Sequence, residues 1–159
     1  MKLFLIVICA TVFLSCREEA PVSDRKSEQQ RVEQNIPDQW KCANDVAQIS
    51  LDVEKLMISV RGERDFALYE KKMNELAVKL NVVCKKLNNL PVLDAETKQK
   101  MILSFDAKRP ELDNLIVKRD QHMDSLPQSL RDKVYHVQWL FEKEMVKHEE
   151  ILSKHFKND

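Results

Sequence analysis

A single glycine, Gly62, stands in a chain of 159 residues, and that scarcity closes off most architectures. Hairpin-rich folds need residues that tolerate positive φ at their turns. Five prolines add few further breaks. What fills the space is Leu, Lys, Glu, Gln and Ala, all good helix formers. The apolar residues recur in steps of three and four, the period of a helix that buries one face. The expected fold class is therefore all-α: an antiparallel bundle of four helices, or five if the chain breaks near Pro110.

The first helix is expected to start at 37–39, with Pro37 and Asp38 suited to a helix start. Its stripe is Trp40, Ala43, Ala47, Val53, Met57 and Val60, widened by Val46, Ile49 and Leu56. Gly62 is expected to end it in a left-handed conformation. The second helix, over 63–89, presents Phe66, Tyr69, Met73, Leu76, Leu80, Val83 and Leu87. The short turn makes these two rods antiparallel. The third begins after Asp94, a good N-cap, and carries Met101, Ile102 and Phe105. Proline is costly inside a helix but favourable at a first position. A kink or break near 108–109 follows, with a second piece to Met123 lined by Leu112, Leu115 and Ile116. The last helix is expected as one rod over 127–156, striped by Leu130, Val134, Val137, Phe141, Met145, His148, Leu152 and Phe156.

The N-terminal segment reads differently. Lys2 precedes an almost wholly apolar run over 3–15, the length of a signal-peptide core and too short for a membrane span of about 20 residues. Residues 13–16 (Phe13, Leu14, Ser15, Cys16) resemble a bacterial lipobox, although Leu is commoner at the place of Phe13 and Leu14 is bulky for its position. The resemblance implies cleavage before Cys16 and acylation of its thiol. Segment 1–15 is then a lipoprotein-type signal peptide, 16–37 a lipid-anchored flexible tether, and 38–157 the helical bundle domain. As a coil the tether would reach roughly 25 Å. The expected location is the bacterial cell envelope, facing the periplasm or the exterior.

Lys plus Arg equals Asp plus Glu, at 26 each. Such a balance gives no overall field for nucleic acid, and no nucleic-acid partner is expected. Cys9 would leave with the leader and Cys16 would carry lipid, which leaves Cys42 and Cys84. These lie 20 and 22 residues from Gly62 on opposite sides, so antiparallel helices rising 1.5 Å per residue would set them at nearly equal height. In an exported protein that predicts one interhelical disulfide, Cys42–Cys84.

Chemistry is sparse. His122, His148 and His155 are weak candidates for a metal. His148 and His155 lie seven residues apart, about 10 Å along one helix, too far to share an ion without help from other elements. The outline is similar to small periplasmic b-type cytochromes, which implies Met57 with His148 or His155 as haem ligands. In an up-and-down bundle, however, Met57 falls near the turn and those histidines at the far end. No hydrolase, metalloprotease or phosphate-loop motif occurs, so no catalytic residue and no cofactor is expected. The function expected is non-enzymatic: a tethered envelope domain that binds a protein partner or serves structurally. The alternative is a small-ligand, metal or haem carrier. Lysines 71, 72, 85 and 86 could form a basic side.

Overall fold

The computed structural model describes residues 37–156, all in helices and short connections. The expected signal peptide, Cys16 and the expected tether up to residue 36 lie outside the described residues, as does the expected domain end at residue 157. Six helices are described: α1 (Asp38–Ser59), α2 (Glu63–Asn88), α3 (Ala95–Asp106), α4 (Arg109–Ser125), α5 (Gln128–Lys147) and α6 (Glu149–Phe156).

The starts follow local chemistry. Asp94 caps α3, its carboxylate accepting the Thr97 N–H at 2.9 Å and the Thr97 hydroxyl at 2.7 Å. That satisfies a donor the helix itself leaves orphaned. Pro110 sits in the first turn of α4, where a missing N–H costs nothing. The chain therefore breaks at 107–108, as the proline position predicts.

Two features of the expected architecture need correction. The bundle has six helices rather than four or five, because the last rod is interrupted at His148. The backbone there reaches φ −107° and ψ 5°, outside the helical range, and its N–H bonds back to Met145 and Val146 carbonyls. The His148 ring turns sideways to the Asn81 amide of α2. Apolar periodicity continues through this point, so the pattern conceals the break. Gly62 also departs from expectation. It is extended, at φ −170° and ψ 177°, and it precedes α2 as its N-cap. No glycine is required there, and a Cβ would meet nothing within 4 Å. Gly62→Ser should stabilise the domain by roughly 0.5–1 kcal/mol, by capping α2 and by narrowing the unfolded ensemble. A denaturant midpoint that stays put or falls would contradict this.

The α1 and α2 rods form an antiparallel hairpin. Lys86 near the end of α2 lies 3.6 Å from Asp38 at the start of α1. The α4 and α5 rods form a second, splayed hairpin whose arms barely touch each other, and α3 connects the two. The hairpins pack side by side in parallel register: α1 lies along α4, and α2 along α5. Cross-hairpin contacts keep a nearly constant sequence offset. Lys108 donates to Asn44, Arg119 to Glu54 and Tyr69 to the Val134 carbonyl, at separations of 64, 65 and 65 residues.

The core lies between these layers. Val53, Met57, Met73, Leu80, Leu87, Met123 and Val134 are all buried to within 1%, as the stripes require. Among the described residues no helix is long and apolar enough to cross a membrane, so a membrane label finds no support in the described domain.

Candidate functional site

Two charged residues interrupt apolar stripes and meet in the core. Glu54 falls between Val53 and Met57 on the buried side of α1. Arg119 falls on the α4 row that runs from Leu112, Leu115 and Ile116 to Met123. The Arg119 guanidinium donates from Nη1 to both Glu54 oxygens at 2.8 Å. Its Nε and Nη2 hold Asp120 Oδ1 at 3.2 and 3.1 Å. The Glu54 side chain is wholly buried and that of Arg119 is 12% exposed.

Burial pushes the Glu54 carboxyl above the ordinary carboxylate range, even though Arg119 pulls it down. Two further acids feel the same environment. Glu142 on α5 is half-buried, accepts from Gln138 at 3.1 Å, and is raised by burial against the pull of Arg119. The fully buried Tyr69 donates its hydroxyl to the Val134 carbonyl at 3.1 Å, and burial with the nearby Glu54 charge raises it. One cation thus serves three carboxylates between α1, α4 and α5. Breaking such a pair exposes an uncompensated charge to a dry interior, and the pair ties α1 of one hairpin to α4 of the other. Sequence reasoning missed this pair. The signal was present as charges at stripe positions 54 and 119, where a solvated residue has no access to water.

The cysteines depart from expectation. Cys42 and Cys84 are buried free thiols, not a disulfide. They do lie near one another, since Cys42 acts electrostatically on Cys84, and the hairpin sets them at similar height. Equal height is insufficient, because a bridge also needs Cα atoms within about 4.4–6.8 Å and side chains directed at each other. Burial pushes the Cys84 thiol up to about 11 and raises Cys42 as well. Thiolates are the reactive form. Alkylation of both thiols at pH 7.5 should therefore be slow in the folded protein and fast in denaturant. Rapid labelling of the native form would contradict the burial.

The histidines meet different surroundings. His122 donates Nε2 to the Val60 carbonyl at 2.6 Å, at the turn end of α1. His148 faces Asn81. His155 is 1% exposed, and neither ring nitrogen has a partner. Among the described residues no group of three His, Cys, Asp or Glu is arranged to hold a metal ion. Met57 lies in the last turn of α1 beside His122 and Val60, whereas His148 lies alongside the later turns of α2. Met57 and His148 are thus set at different heights of the bundle.

The outward side of α2 is the remaining feature. Leu68, Val78 and Val82 are 55%, 63% and 61% exposed. They share one helical face with Arg64, Lys71, Lys72 and Lys79, broken by Glu75. A shallow groove along it is lined by Ala67, Lys71, Asn74, Val78 and Lys79 among others. Residues of this kind on a monomer's surface are worth attention only when they are contiguous, and here Val78 and Val82 stand one turn apart. Comparison with family models, with curated proteins and with solved structures finds no match to this chain.

Proposed function

We propose that the chain is a non-enzymatic envelope domain, held at a bilayer by acyl chains on Cys16, that docks a protein partner on the outward face of α2. What supports the docking part is one observation: Leu68, Val78 and Val82 are exposed on a helix whose opposite face is saturated with core contacts. Removing such side chains from water is worth about 25 cal/mol per Å². The groove's lining sets Glu70 and Glu75 beside Lys71 and Lys79, so the apolar side chains carry the contact in this reading. What supports the tether is the apolar run ending at Cys16. Attachment in this reading rests on lipid, and two or more chains make it durable.

Two measurements test the reading. Cys16→Ser should move the protein from the membrane fraction to the soluble fraction, and unchanged retention would refute the tether. For docking, a photo-crosslinking residue at position 78 is compared with one at position 117, where Val117 is 55% exposed on α4. A defined protein adduct is expected at 78 only, and Val82→Glu should remove it. Equal adducts at both positions, or none at 78 in native envelopes, would overturn the docking face.

A further inference from the structure

Helix α6 is separated from α5 by the break at His148. It docks by burying three side chains, Leu152, His155 and Phe156, against α2 and α5. Two of these are ordinary apolar anchors. The third is an imidazole placed where both of its nitrogens lack any hydrogen-bond partner. A buried polar group without a partner is costly even when neutral, and a buried unpaired charge is far costlier.

The charged surroundings are of one sign. Lys98 on α3 is itself buried, at 8% exposure, and acts on His155 together with Lys154 of α6. Among the described residues no carboxylate of α2, α3, α5 or α6 is seen to act on the ring. A proton arriving on His155 would therefore meet a dry pocket and two cations, with nothing among the described residues to accept from its N–H groups.

We propose that α6 is an acid-released clasp: protonation of His155 undocks the helix and uncovers the apolar surface that Leu152 and Phe156 protect. The hinge is the His148 junction, where the helical ladder is already interrupted. His155 is held below the ordinary histidine value, chiefly by burial. The sign follows from that direction. Above about pH 6.5 the ring is neutral whether docked or undocked, and the clasp is fully held. As pH falls, the undocked ring takes up its proton first, so docking is lost progressively until the docked ring would also protonate. Each unit of depression corresponds to about a tenfold loss in the docking equilibrium.

Amide hydrogen exchange of the full chain, corrected for intrinsic rates, tests this at pH 7.5 and pH 5.0. Protection of the α6 amides should fall, while that of central α1 amides holds. In His155→Leu, α6 protection should be the same at both pH values. A wild-type α6 that keeps its protection at pH 5.0, or an equal drop in His155→Leu, would overturn the clasp. Should the variant fail to fold, the imidazole resonance of wild-type His155 decides instead. Titration below the ordinary histidine range, in step with the loss of α6 protection, supports the clasp. An ordinary midpoint with α6 still docked refutes it.

Discussion

Arg119→Met is expected to destabilise the domain by about 3–5 kcal/mol at neutral pH, the cost of leaving a buried carboxylate without its counter-charge. Glu54 has no exposed side-chain surface, so water cannot replace the guanidinium. The loss should shrink on acidification. Burial already raises Glu54 in the wild type, and the variant removes the one group that pulls it down. Its folded form then takes up a proton at higher pH than the unfolded chain does. Stability of the variant relative to wild type should accordingly improve as pH falls from 7 toward 5. The double variant Glu54→Met, Arg119→Met should recover to within about 1 kcal/mol of wild type or exceed it, because well-packed apolar pairs often match buried ion pairs. Asp120 is 40% exposed and can be served by water. Chemical denaturation of the three proteins decides the matter. A single variant within 1 kcal/mol of wild type would show that the pair does not tie the hairpins together.

Leu80→Ala should cost roughly 3–5 kcal/mol, in the upper part of the range for buried leucines. Leu80 is wholly buried on the helix that touches both α1 and α5. Relaxation into the cavity would require rods on two sides to move together, so little of the void can close. Val82→Ala, two residues along, is expected to change stability by no more than about 0.5 kcal/mol, since Val82 is 61% exposed. The contrast within one turn of α2 separates core from docking face. Comparable losses at both positions would place Val82 in a buried interface.

Most of the bundle was legible because the dominant signal is periodic. The stripes of α1, α2 and α5 name the buried residues, and Asp94 and Pro110 mark starts through chemistry that acts within one turn. What escaped was decided between elements. The break at His148 coincides with a side chain reaching Asn81 of another helix, and local pattern carries no trace of such a partner. The Glu54–Arg119 pair reads locally as two surface charges, and only the packing of α1 on α4 makes it buried. The Cys42–Cys84 expectation failed for a related reason. Rise per residue fixes height along a hairpin, but not whether two side chains point across it. Leu112, Leu115 and Ile116 were expected as core, yet they are only half-buried and Met123 alone is fully covered in α4. That helix contributes its charged Arg119 where the others contribute leucine.

The parallel seating of one hairpin on the other has a kinetic corollary. The bonds across the seam join residues from 56 to 70 positions apart, so neither half gains them until most of the chain has emerged and collapsed. Contacts so distant in sequence form slowly, and a hairpin awaiting its mate offers the same seam to any neighbouring molecule. At high concentration, refolding chains should therefore trade halves and accumulate as exchanged dimers, and dilution during refolding should favour the monomer.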